Sequence, residues 1–240
     1  MRVACLFDIH GNLPALEAVL AEPDVAGADV VLSGGDAVSG PFPRETADAL
    51  RGLGPRLVAI VGNSERDVLA AEDGKTAWLA AQLGGEHLAW LESQPLTYDL
   101  GDGVLACHGT PRSDLELVTL VTPDERLAEI LDGVDARVVI TGHTHSQVDR
   151  VVGGIRWVNS GSVGMPYEHE HGAYWALVDG GEVELRRTPY DAEAAADRIR
   201  ATTYPGADAF ADEYVLSIYP PEETAPFFER MAEENDGKLA

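Results

Sequence analysis

Short apolar runs recur along the chain at residues 2–7, 29–33, 57–61, 104–107 and 137–141. Each has the length and the branched, apolar content of a buried strand. Between them, leucines return at helical spacing. Leu13, Leu16 and Leu20 follow the first run, with Asn12 placed to cap and Pro14 tolerated in the first turn. A second helix is expected over about 44–51. Residues 65–93 read as helical pieces broken near Gly74 and at Gly84 and Gly85, and Pro95 closes that region. Strand, loop and helix therefore repeat as βα units.

The pattern changes after Pro95. Asp102 and Gly103, between 96–100 and 104–107, form a two-residue hairpin signal. Gly153 and Gly154 join 147–152 to 155–158, and Gly180 and Gly181 join 174–179 to 183–188 in the same way. A helix is expected at about 123–131, and a loop of small residues at 159–166. Residues 191–201 and 220–236 read as two more helices, the second amphipathic through Phe227, Phe228 and Met231, with a linker at 202–206. This C-terminal part carries no evident chemistry and reads as a packing or oligomer-contact extension, through which a homo-oligomer would form. βα units followed by hairpins imply an α/β fold with two sheets packed face to face and flanked by helices. The division expected is a domain over 1–190 and a helical extension over 191–240.

Composition narrows the partners. With 240 residues, one domain with a large core suffices. The chain has 17 basic and 41 acidic residues, a formal net charge of -24, so its average surface repels nucleic-acid polymers and anionic membrane. Cys5 and Cys107 fall in expected strands and read as reduced core residues. No basic leader followed by an apolar stretch opens the sequence, and no run of about 18 apolar residues occurs. A cytoplasmic location is expected.

Chemistry gathers where the strands end. The first run leads into Asp8 and His10, the second into Asp36, the third into Asn63, the fourth into His108 and the fifth into His143 and His145. Side chains two apart on extended backbone point the same way, which lets His143 and His145 converge. Carboxylate, amide and imidazole without thiolate suit manganese, iron, zinc, cobalt or nickel better than calcium or a structural zinc. Seven donors exceed one ion but suit two. Two metals about 3.5 to 4 Å apart are a common apparatus for hydrolysing phosphate esters.

In order, Asp8-Ile9-His10, Gly35-Asp36, Gly62-Asn63, His108-Gly109 and Gly142-His143-Thr144-His145 resemble the complete signature of the calcineurin-like metallophosphoesterases. Residues 8–16, Gly40-Pro41 and residues 159–164 look most like the small prokaryotic phosphodiesterase branch. The resemblance runs over about 1–190. It implies a four-layer αββα sandwich of two mixed sheets and two divalent transition-metal ions, manganese foremost. Asp8, His10, Asp36 and His145 would hold one ion. Asp36, Asn63, His108 and His143 would hold the other, with Asp36 bridging. It further implies a phosphodiesterase acting on a small phosphate ester through a hydroxide shared by the ions, with Asp36, Asn63 and His108 in the catalytic machinery. Asn12 would contact phosphate or orient the nucleophile, alongside its role as helix cap.

One position departs from the pattern. Many relatives carry histidine after the metal-binding asparagine, where this chain has Ser64, and a neutral hydroxyl is a poor general acid. Diesters, anhydrides and stabilised leaving groups should therefore be favoured over alkyl monoesters, or water or another residue supplies the proton, with Ser64 contacting substrate. Arg44 and Arg112 follow ligand loops and are candidates to meet substrate charge. His169 and His171 read as a solvated loop, and His87 as a surface residue. Competing readings are a phosphomonoesterase or protein phosphatase, a dinucleoside polyphosphate hydrolase, and a non-catalytic binding scaffold, in which the ligands would be eroded.

Overall fold

The computed structural model describes residues 1–239, with side chains described through residue 234. Ten strands form two five-stranded mixed sheets. The first sheet contains β1 (Arg2–Leu6), β2 (Val30–Ser33), β3 (Leu57–Ala59), β9 (Ala173–Asp179) and β10 (Glu182–Thr188), in the order β10-β9-β1-β2-β3. The second contains β4 (Thr97–Asp99), β5 (Val104–Cys107), β6 (Val138–Thr141), β7 (Gln147–Val152) and β8 (Ile155–Ser160), in the order β4-β5-β6-β8-β7. Each sheet contains three neighbouring parallel strands, β1-β2-β3 running to the edge of one and β5-β6-β8 at the centre of the other, and the remaining strands pair antiparallel. The carboxyl ends of the parallel strands therefore share one rim, where α/β sheets bind ligands.

Period-two alternation explains the layering. In β1, Val3 and Cys5, with Phe7 beyond, enter the core between the sheets, while Ala4 and Leu6 face an outer core. In β6, Val138 and Ile140 face the central core and Val139 the other side. Because both faces are covered, these strands read as continuous apolar runs.

Helices α1 (Leu13–Leu20), α2 (Pro23–Ala26), α3 (Pro43–Arg51), α4 (Asn63–Ala70) and α5 (Gly74–Glu92) follow the first βα units. The outer core on this side takes Leu16 and Val19 of α1, Leu50 of α3, Val68 of α4 and Leu79 and Leu83 of α5. α6 (Asp124–Ile130) covers the second sheet with Leu127 and Ile130. The expected helix–sheet–sheet–helix sandwich is the observed one. As expected, α5 breaks at Gly84 (φ 72°). Cys5 and Cys107 are buried and unpaired.

Four expectations change. The turn between β4 and β5 has three residues: Leu100 and Val104 pair, and Gly101, Asp102 and Gly103 all have positive φ. His87 is buried on the face of α5 that packs against α3, with Nε2 3.1 Å from Asp48 Oδ1 and Nδ1 3.1 Å from Arg51 Nη1. It is a packing residue and not a surface one. The stretch beyond α7 (Ala192–Arg200) is structured as well, because Tyr204 buries its ring edge-on to Trp78. It runs into α8 (Ala207–Phe210) and a π turn (Ala211–Leu216) before α9 (Pro221–Leu239). On α9, Ala225 and Ala232 are buried while Phe227 is 54% exposed, so the apolar stripe does not run through Phe227. No helix of the described residues is long and apolar enough to cross a membrane.

Candidate metal centre

Asp8 and His10 follow β1, Asp36 follows β2, Asn63 opens α4 after β3, His108 follows β5, and His143 and His145 follow β6. The rim brings them together. His145 Nε2 lies 3.4 Å from Asp8 Oδ1 and 3.1 Å from His10 Nε2. His10 Nε2 is 3.7 Å from Asp36 Oδ2, and His108 Nε2 is 3.5 Å from Asp36 Oδ1. Asn63 Oδ1 lies 3.2 Å from His108 Nε2. The His143 ring sits 4.8 Å from that of His108, centroid to centroid. Two overlapping groups result, Asp8 with His10 and His145, and Asp8 with Asp36 and His108, each with ligand atoms within 4.8 Å of one another.

The histidines of β6 do not converge through extended backbone. His143 and His145 have φ of 70° and 60°, and Asp8, His10 and Asp36 are left-handed too, at 53°, 47° and 54°. This turns His143 toward His108 and His145 toward His10. A non-glycine residue in that region costs roughly 1–2 kcal/mol. Five of the seven such residues in the described chain are candidate ligands, so backbone strain is concentrated at this rim.

Neighbouring groups orient four of the donors. His108 Nδ1 donates to Gly34 O (3.0 Å) and His145 Nδ1 to Met165 O (2.8 Å), which leaves each Nε2 facing the cluster. His143 N donates to Asp8 Oδ2 (2.8 Å), and Ser64 N donates to Asp36 Oδ1 (2.9 Å). A Cβ at Gly142 would stand 2.3 Å from Asp8 Oδ2, and one at Gly62 2.2 Å from Asp36 Oδ1. Only glycine leaves room for the carboxylates there. Ser162 Oγ donates to Asp8 O (2.7 Å), fixing the backbone from the far side.

Charge follows burial. Burial lowers His10 to about 4, and burial with the neighbouring His108 lowers His143 to about 4, so both imidazoles are neutral at pH 7 and able to ligate. Burial opposes ionisation of Asp8, yet the imidazoles of His145 and His108 hold its carboxyl below the usual range. Burial also opposes charging of His108, but Asp36 and Asp8 outweigh it and raise its pKa.

The fit to a cation rests on one atom. Asp8 Oδ1 is fully buried and has no hydrogen-bond partner, although it faces three imidazole nitrogens within 3.9 Å. An orphaned buried carboxylate oxygen costs several kcal/mol, and a bound cation relieves it. The donors present suit a divalent transition ion.

Other candidates fare differently. Asn12 is buried with both ends of its amide engaged: Oδ1 accepts from Ala15 N (3.2 Å) and Nδ2 donates to Gly164 O (2.9 Å). It therefore caps α1, as expected, and ties down the 159–166 loop. Arg44 is exposed, and its Nη2 lies near Gly84 of α5. Arg112 is bound by Glu116 (2.9 and 2.6 Å). His169 is exposed beside Glu222 (3.4 Å), outside the cluster. Ser64 Oγ is buried and unpartnered. Its position beside Asp36 predicts that Ser64→His raises the ratio of p-nitrophenyl phosphate to bis(p-nitrophenyl) phosphate turnover by roughly tenfold or more, the scale of general-acid effects. A ratio unchanged from the parent protein contradicts the role given to this position.

Three residues at the site escape the sequence reading. Glu65 is fully buried, and its carboxylate accepts from Asp36 N (2.7 Å), Ala37 N (2.7 Å) and Gly62 N (2.9 Å). Burial and the Asp36 charge push its carboxyl up to about 7 against the pull of those donors. The S/T-x-x-E form of a capping box was the available signal, but Gly62 occupies the cap. Tyr167 stacks on His145 at 5.3 Å and 20° and is itself packed by Tyr219 and Phe228. Tyr214, from the π turn, lines a cavity that opens on His10. The C-terminal segment thus reaches the rim, beyond packing alone.

Comparison with known proteins agrees with this architecture. The model of the calcineurin-like phosphoesterase superfamily domain matches residues 1–180. An uncharacterised protein of Methanocaldococcus jannaschii is 27% identical over 227 residues, covering 82% of this chain and 91% of its own length. The crystal structure of a metallophosphoesterase from Sphaerobacter thermophilus superposes with a TM-score of 0.74 at 26% identity, covering 89% of this chain and 98% of that one. A Pyrococcus horikoshii protein shares the fold with the same TM-score at 24% identity, over 90% of this chain and 99% of that one. Motif order, sheet topology and the matched span together place the chain in the calcineurin-like phosphoesterase superfamily.

Proposed function

We propose that the protein is a phosphodiesterase working with two divalent transition-metal ions, manganese foremost. Asp8, His10, Asp36 and His145 would hold one, and Asp36, Asn63, His108 and His143 the other. The observation that carries this reading is the placement of Asp36. Its Oδ2 faces His10 (3.7 Å) and its Oδ1 faces His108 (3.5 Å), so one carboxylate addresses both halves of the cluster. When bound, such ions neutralise phosphate charge and acidify water.

The residues of the chain do the positioning. Neutral His10 and His143 offer lone pairs without a proton to displace. The carbonyls of Gly34 and Met165 fix the tautomers of His108 and His145. Ser64 supplies no acid of suitable pKa beside Asp36, which favours esters whose leaving group departs unaided.

The test is hydrolysis by manganese-loaded protein of bis(p-nitrophenyl) phosphate against p-nitrophenyl phosphate. The diester is expected to be preferred, a chelator to abolish turnover, and manganese to restore it. Asn63→Ala and His108→Ala should each lower turnover by roughly 10–100-fold at fixed metal concentration. Preference for the monoester, or turnover that survives chelation, overturns the reading.

A further inference from the structure

A cavity of about 310 Å³ opens on His10, within the range of roughly 300–1,000 Å³ in which proteins hold small molecules. One side is Met165, whose carbonyl orients His145 (2.8 Å). Another is formed by Tyr204, Phe210 and Tyr214, which lie outside the span matched to the family. Tyr204 and Phe210 are buried and set edge-on with centroids 6.1 Å apart, and Phe210 braces the half-buried Tyr214 at 5.4 Å and 62°. Tyr214 also lines a neighbouring cavity of about 250 Å³ with Tyr167, the ring stacked on His145. Braced aromatic rings therefore stand beside the His10 and His145 half of the cluster.

The polar groups of this cavity are of mixed kind. Ser39, Lys75 and Glu213 line it. Lys75 is one of only two lysines in a chain of net charge -24, and its Nζ lies 5.8 Å from the Tyr204 ring centroid. A cation, a carboxylate and a hydroxyl around aromatic rings match a planar group whose edge carries both donors and acceptors. A simple alkyl group would leave Lys75 and Glu213 unmatched, and a purely anionic group would meet Glu213.

We propose that this cavity receives the base of a short nucleotide phosphodiester, stacked on Tyr214 with its edge toward Lys75, Glu213 and Ser39, and the phosphate at His10. The assignment rests on the phosphodiesterase reading above and names the substrate class of that site. A braced tyrosine offers a rigid π face at low entropic cost, and stacking of this kind tolerates any base.

Two chromogenic diesters with one leaving group test it: thymidine 5′-(p-nitrophenyl phosphate) and methyl p-nitrophenyl phosphate. With manganese-loaded protein, kcat/KM for the thymidine ester should exceed that for the methyl ester by roughly tenfold or more, the scale of base stacking. Tyr214→Leu should remove most of that ratio, Tyr214→Phe should keep it, and Lys75→Gln should lower it. Calorimetry supplies a second readout on the same protein: thymidine 5′-monophosphate should bind roughly fivefold or more tighter than 2-deoxyribose 5-phosphate, with the advantage lost in Tyr214→Leu. A ratio near one in the parent protein, or one that Tyr214→Leu leaves intact, overturns the cavity assignment while hydrolysis stands. If neither ester is hydrolysed, the activity reading fails, and the calorimetric difference alone decides the cavity: an advantage for the base-bearing ligand upholds it and equal affinities overturn it.

Discussion

Asp36→Ala is expected to lower kcat/KM for bis(p-nitrophenyl) phosphate by roughly 10²–10³-fold or more, the loss seen when one preorganised electrostatic contact is removed from an active site. The effect should exceed that of any single histidine replacement, because Asp36 faces His10 through one oxygen and His108 through the other. Elemental analysis after gel filtration supplies the independent measure. The parent protein should carry about two ions per chain and the variant about one or fewer, in keeping with a shared carboxylate. Thermal denaturation should follow, since a ligand at about 1,000 times its Kd adds roughly 4 kcal/mol to folding stability, and the manganese-induced rise in Tm should shrink in the variant. Turnover near the parent level would refute the bridging role, and partner binding that persists beside it would revive the scaffold reading.

The arrangement around Asp36 makes little sense as a device for stability alone. Asp8 and Asp36 are buried together with His10, His108 and His145, and burying charged groups destabilises a fold unless they are paired. Asp8 Oδ1 lacks even a hydrogen bond. Five candidate ligands occupy left-handed backbone. A fold selected only for stability would relieve these conflicts with apolar residues. Their concentration at the carboxyl rim of two sheets marks the place where binding sets the residues.

Much of this rim was legible in the chain because its two signals are local. A strand covered on both faces must be apolar throughout, so β1, β2, β5 and β6 declare themselves, and a metal-binding residue type directly after each strand is readable as a pattern. What stayed hidden depends on contacts distant in sequence or on backbone conformation. Nothing in the letters of His143 and His145 announces φ near 60–70°, and the inference from extended backbone failed for that reason. Asn12 offered two roles, and only the position of Gly164, brought in by the loop after β8, shows that its amide is engaged. His87 resembled a surface residue until α5 packed on α3 and set Asp48 and Arg51 beside it. Tyr214 sits in a π turn, whose spacing matches neither the helical nor the strand period. Glu65 looked like an ordinary acidic residue in the first turn of a helix.

Glu65 yields the second large effect, on stability as much as on activity. Glu65→Ala would strand the N–H groups of Asp36, Ala37 and Gly62, all now satisfied by one buried carboxylate. Leaving a buried donor unpaired costs about 1–3 kcal/mol, so the three together amount to roughly 3–6 kcal/mol after partial relaxation, a large part of the 5–15 kcal/mol that holds a typical domain. Chemical denaturation should show a lowered midpoint, and the surviving folded fraction should bind manganese weakly, because Asp36 and Gly62 belong to the loops that position the candidate ligands. Glu65→Gln separates the two contributions. If its amide oxygen takes the place of Oε2, the bonds from Asp36 N and Gly62 N persist and only Ala37 N confronts an NH₂ group. Its stability should fall between the parent and the alanine variant. A Glu65→Ala protein as stable as the parent, measured by the same denaturation, would show that water replaces the carboxylate and that Glu65 does not hold the two loops together.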